Sequence, residues 1–181
     1  MKKSIIASVV ALGLVSGLAQ AADKEVQFVG SVTNVTCDIE PSVDGSNSMI
    51  PGLIQLGTVA AGVKGQPVNF TFKPAKDQQN ITACDTMQDT GTAKLTWTSS
   101  NFTAKGLTAI SGAATDAAVE ISPTNAKAGN GTMITASATS HDFDPTLLKT
   151  GGAGLKYQAI LAGGTQVGDM HTAAKFNFSY K

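Results

Sequence analysis

The chain has 181 residues, with 13 lysines, no arginine and 13 acidic residues. That balance leaves no basic surface for nucleic acid or an anionic membrane, and the length suits one domain able to bury its own core. Glycine, threonine, serine, alanine and valine are abundant, and no long stretch carries apolar residues at helical spacing. An all-β fold is expected.

The chain opens with Lys2 and Lys3 ahead of an apolar run from Ile5 to Leu18. Ala19-Gln20-Ala21 then places small residues where a signal peptidase reads, so residues 1–21 read as a secretory signal and residues 22–181 as a single exported domain. The apolar run is short for a membrane span. Loss of Lys2 and Lys3 leaves 11 lysines against 13 acids, a slightly acidic product.

Candidate strands follow by alternation. Val26 to Val35 is the first, Leu53 to Val59 the second, and Val68 to Lys73 the third, with Val68, Phe70 and Phe72 on one face. Ala93 to Thr98 turns Leu95 and Trp97 inward, and Ala117 to Ser122 does the same with Val119 and Ile121. Met133 to Thr139 comes next, and Leu155 to Ala162 sets Leu155, Tyr157, Ala159 and Leu161 on one face. The segment from Gly168 to Lys181 alternates to its end, with Phe176, Phe178 and Tyr180 opposite Lys175, Asn177 and Ser179. Turn-rich stretches such as residues 44–47, 128–131 and 150–152 separate these runs, the spacing of a sandwich or barrel.

Cys37 and Cys84 are the two cysteines. In an exported chain an even count pairs as a disulfide. Closing a loop of 47 residues contributes about 4 kcal/mol on the chain-entropy model. The spacing is neither that of a Cys-x-x-Cys redox catalyst nor that of a zinc ligand set.

Little else in the chain suggests catalysis, a metal or a cofactor. His141 lies near Asp142 and Asp144, but Asp-Phe-Asp-Pro reads as a solvated turn. His171 beside Met170 offers two isolated soft ligands, too few for a copper site. No nucleophile elbow or phosphate-binding glycine loop appears. Trp97 alternates with Leu95 and is expected in the core rather than stacked on a sugar. The chain is expected not to be an enzyme.

A sharper reading comes from the order of short motifs. Phe28-Val-Gly30-Ser-Val32 five residues before Cys37, Ile54-Gln-Leu56-Gly57-Thr-Val59, and Val68-Asn-Phe70-Thr-Phe72 before Cys84 resemble the signatures of major fimbrial subunits of the chaperone-usher family. Leu155-Lys-Tyr157-Gln-Ala159 is similar as well. So is the ending: Tyr180 is the penultimate aromatic and Gly168 the glycine fourteenth from the end that this family carries. Within it the chain resembles the adhesive fimbriae of enteric Gram-negative bacteria.

The resemblance implies an incomplete immunoglobulin-like β-sandwich that lacks its last strand. It implies that Gly168, Phe176, Phe178 and Tyr180 border a groove filled first by a periplasmic chaperone and then, at an outer-membrane usher, by the N-terminal segment of an identical subunit. The expected destination is a fimbria on the cell surface. A short donor segment, about residues 22–28, precedes the first strand, and Lys24 sits on its apolar face. The donor is therefore expected to overlap the first strand, with Val26 and Phe28 as anchors. A terminating subunit that receives a strand and donates none is the alternative. A second class of function is glycan binding, with a host glycan or glycoprotein as partner. Its expected places are the loops Pro74 to Ile81, with Lys76, Asp77, Gln78 and Asn80, and Ser122 to Thr132.

Overall fold

The computed structural model describes residues 37–43 and 52–181. The signal segment, the first candidate strand and the donor anchors Val26 and Phe28 lie outside these described residues. Among the described residues nine strands form two antiparallel sheets. They are β1 (Ile39–Val43), β2 (Val68–Pro74), β3 (Ala93–Thr98), β4 (Phe102–Thr103), β5 (Gly106–Thr108), β6 (Ala118–Pro123), β7 (Ser140–Phe143), β8 (Leu155–Ala162) and β9 (Lys175–Tyr180). One sheet runs β1-β2-β8-β6-β5-β4 and the other β7-β3-β9. A short helix, α1 (Gln78–Asp85), links β2 to β3, and a 3-10 turn (Pro145–Leu148) follows β7.

Alternation puts the core where strand geometry demands. Phe70, Phe72, Leu155, Tyr157, Ala159, Val119 and Ile121 line the inner face of the larger sheet, and Leu95, Trp97, Phe143 and Phe178 that of the smaller. The rings interlock edge to face: Trp97 lies 5.5 Å from Tyr157 and 5.7 Å from Phe72, and Phe72 lies 4.7 Å from Phe176. Such pairs contribute about 0.5–1.5 kcal/mol each beyond the area they bury. Tyr157 sits at the middle of the cluster, where burial pushes its phenol well above the ordinary tyrosine range. Its hydroxyl lies 3.3 Å from His141 Nδ1.

The expected strands at Ala93–Thr98 and Leu155–Ala162 form with those bounds, and the one at Val68 runs one residue further, to Pro74. Leu161, expected on the inner face, is half-exposed near the end of β8. Two expected strands do not form ladders. Leu53–Val59 keeps its alternation, with Ile54 and Leu56 half-buried against the core, but takes no strand assignment. Met133–Thr139 is broken by a tight turn in which Thr135 and Ala138 bond each other, and pairing with β3 starts at Ser140. His141-Asp-Phe143 therefore belongs to β7 rather than to a solvated turn, and Asp144 instead caps the 3-10 turn through Thr146.

The segment expected as a loop from Pro74 to Ile81 is corrected in part to helix. Asp77 caps α1 by accepting from the Asn80 backbone N–H at 2.8 Å. Asn80 itself is buried: its side-chain oxygen accepts from Asp38 N–H at 2.6 Å, and its amide donates to the Asp38 and Ala75 carbonyls at 2.8 and 3.1 Å. One amide thus braces the start of β1, the end of β2 and the helix. The disulfide Cys37–Cys84 fastens two of these pieces, the start of β1 and the helix, S–S 2.07 Å.

Candidate functional site

The edge of β9 decides the site. One side of β9 pairs with β3 from Ala93↔Tyr180 to Thr98↔Lys175, and the other side has no strand partner among the described residues. In an antiparallel strand the backbone groups point alternately to either side, so half of those on β9 face outward. Alternate burial continues upstream of the ladder: Met170, Thr172, Ala174 and Phe176 turn toward the core while their neighbours are exposed. The expected fourteen-residue strand is thus a six-residue ladder with an extended approach.

Facing this edge across the sandwich mouth is the unladdered stretch 52–56. Between the two lies an apolar groove of about 330 Å³, with Leu53, Ile54 and Leu56 on one wall and Ala174 and Phe176 on the other. Phe70, Phe72, Trp97, Val119 and Ile121 form its floor, and no charged residue lines it. The same two chain segments continue past Gly57 and His171 to border a second cavity of about 470 Å³, lined by Ala60, Ala61, Gly163, Gly164 and Val167. Among the described residues, the stretch from Leu53 to Val59 alternates like a strand and has no strand beside it, and β9 has a free edge opposite. The space between them has the form of one missing strand.

The ends of the groove differ. Near Tyr180 the strand is tied down: its hydroxyl accepts from Gln88 N–H at 2.6 Å and donates to the Gln88 carbonyl at 3.0 Å, while Thr92 and Lys181 exchange backbone bonds. At the other end Gly168 takes φ +135°, and a Cβ there would come within 2.6 Å of Ala113 Cβ. Glycine is required for the segment 168–171 to lie against 110–114, to which it is bonded through Asp169, His171 and Ser111.

The structure brings Gly168, Phe176, Phe178 and Tyr180 onto one edge, Phe178 buried and the other two rings half-buried. It separates them from the expected receptor loop. Lys76 is exposed beside α1, but Asn80 is buried in its three bonds and presents nothing to a ligand. The loop after β6 is likewise held from within: Asn125 bonds Lys156 and Gly154, and Asn130 bonds Ala126. Among the described residues no three His, Cys, Asp or Glu side chains gather as a metal site. Sequence reasoning placed Thr172 to Ala174 in the terminal strand but named none of them as lining the groove, because threonine and alanine carry little apolar signal.

The fold defines the class: a two-sheet antiparallel β-sandwich with, among the described residues, an apolar groove beside an unpaired strand edge. Comparison with known proteins gives the particular family. The chain is 34% identical to the F107 fimbrial protein of Escherichia coli over 181 residues, all of both chains. It is 30% identical to the K99 fimbrial protein of the same species over 119 residues, 62% of this chain and 61% of that one. The crystal structure of the P pilus rod subunit PapA superposes with a TM-score of 0.53 at 20% identity, covering 87% of this chain and all of that one. No protein-family profile matches. The chain belongs to the fimbrial proteins; its fold is the incomplete immunoglobulin-like sandwich of pilus subunits, its place is the surface fimbria, and it is not an enzyme.

Proposed function

We propose that the groove beside β9 receives a β-strand from another chain, and that this exchange polymerises the subunit into an adhesive fimbria. A periplasmic chaperone fills the groove first, and at the outer-membrane usher the N-terminal segment of an identical subunit replaces the chaperone strand. The observation that supports this is the pairing of a free strand edge with an uncharged apolar trough of strand width. Strand addition supplies backbone bonds along the edge and pockets for alternate side chains.

Val26 and Phe28 are the proposed anchors, alternating residues of one face as the groove requires. With cleavage after Ala21, residues 22–36 precede the described body and reach about 50 Å when extended at ~3.3 Å per residue. The residues that line the two cavities on this side, Gln166 to Phe176, extend about 36 Å on the same rise. Enough chain is present to donate, which favours a repeating subunit over a terminator. Host contact through a glycan or glycoprotein is proposed for the assembled fimbria, and the burial of Asn80 gives no support to a site around it.

Co-expression with the cognate chaperone tests the reading. A soluble one-to-one complex is expected, whereas the chain alone should self-associate because it exposes strand edge and core together. A lone chain that purifies as a stable monomer would overturn the reading.

A further inference from the structure

The large apolar side chains left exposed among the described residues are four: Leu53, Val63, Ile110 and Val167, at 40, 51, 58 and 77%. Leu53 is on the groove wall. The other three gather at the groove's glycine-rich end. Val167 lines the second cavity, the Val63 carbonyl accepts from Gly163 on its border, and Ile110 N–H donates to the carbonyl of His171, another lining residue. Single exposed apolar residues need no explanation, but their collection at one mouth does.

We propose that Val63, Ile110 and Val167 form a docking pad for the body of a second copy of this chain, the copy whose N-terminal segment fills the groove. This rests on the strand exchange proposed above. A segment reaching about 50 Å that lies in a trough lined from Gln166 to Phe176, about 36 Å long, leaves only about four residues as a spacer, so the two bodies must meet where the segment leaves the groove. It leaves at the glycine-rich mouth, because the Tyr180 end is crossed by residues 88–92, which bond Tyr180 and Lys181. The donor segment joins its own body at Cys37, fastened to α1 by the disulfide, with Asp38 clamped by Asn80. The face brought to the pad is therefore the α1 end, where Ala75 and Ile81 are half-exposed. Contact between bodies would stiffen a fibre that strand exchange alone leaves hinged at each spacer.

The test is the Ile110→Ser, Val167→Ser double variant of the full chain, expressed with its chaperone and usher, alongside Val63→Ser alone as a milder change. Two readouts are taken: the ladder of detergent-resistant oligomers on unheated gels, which reports strand exchange, and fibre persistence length in electron micrographs. The expected result is an unchanged ladder with a persistence length at least about threefold shorter, and a smaller drop for Val63→Ser. An unchanged persistence length overturns the pad. Loss of the ladder from a variant that still forms its chaperone complex also overturns it, since the residues would then serve strand exchange itself. Absence of a ladder from the unaltered chain would instead contradict the strand-exchange reading.

Discussion

Val26→Asp separates donating a strand from receiving one. If Val26 enters a neighbour's groove, the substitution loses the burial of a valine side chain, about 1.5–3 kcal/mol. It also asks a carboxylate to enter a trough with no charged residue among the described residues that line it. The effective cost of an unpaired buried charge is several kcal/mol. Together these exceed about 5 kcal/mol, more than a thousandfold in the exchange equilibrium. Capture by the chaperone, which uses the groove of this chain and not its N-terminal segment, should be untouched. Tyr180→Ser should do the reverse: it removes a half-buried ring and its paired bonds to Gln88, loosening the strand edge on which capture depends. Both variants are scored by co-purification with the chaperone and by detergent-resistant oligomers at the cell surface. Normal oligomers from Val26→Asp would place the donor elsewhere, and loss of chaperone capture by that variant would place Val26 in the subunit's own core.

The remaining predictions concern the body that presents the groove. Asn80→Ala strands the Asp38 N–H and the Ala75 carbonyl and should destabilise the chaperone-bound subunit by about 3 kcal/mol, while Lys76→Ala changes stability by less than about 0.5 kcal/mol; equal denaturant midpoints would refute the brace. Gly168→Ala must hold φ +135° and push against Ala113, so a loss of about 1–3 kcal/mol is expected in the same assay. Burial holds the His141 imidazole below its ordinary range, opposed weakly by Asp142. Because the folded state binds this proton less readily than the unfolded chain, stability should fall as pH drops through the imidazole range, and His141→Phe should flatten the midpoint difference between pH 7.5 and 5. Asp85, Asp116 and Asp144 are held below the usual carboxylate range by threonine hydrogen bonds, so their contribution is lost only at lower pH and leaves that window to His141.

Much of the fold is legible in the alternation of apolar residues. Leu95 with Trp97 and Leu155 with Tyr157 and Ala159 mark β3 and β8 because both strands have one buried face and paired neighbours on both sides. The same signal at Ile54 and Leu56 marks a face correctly but not a ladder, since side-chain pattern reports burial and says nothing of whether a partner strand is present. Helix α1 leaves no apolar stripe: Gln-Gln-Asn-Ile-Thr-Ala-Cys-Asp is held by the Asp77 cap, Asn80 and the disulfide. The strand that borders the groove was visible through Phe176, Phe178 and Tyr180, of which Phe176 lines the groove itself. Its other features come from long-range packing, with Gly168 pressed on Ala113 and Trp97 on Phe72, which no local pattern encodes.

The central proposal is that the space beside β9, open among the described residues, takes the N-terminal segment that carries Val26 and Phe28. The most direct measurement is the thermal unfolding of the subunit in complex with its chaperone, before and after incubation with a synthetic peptide of residues 22–36. The account predicts that the peptide displaces the chaperone and yields a subunit–peptide complex melting cooperatively at a higher temperature, an effect that the Val26→Asp peptide fails to produce. A chaperone complex that ignores both peptides, or a subunit whose melting temperature is the same with and without a bound strand, would contradict it.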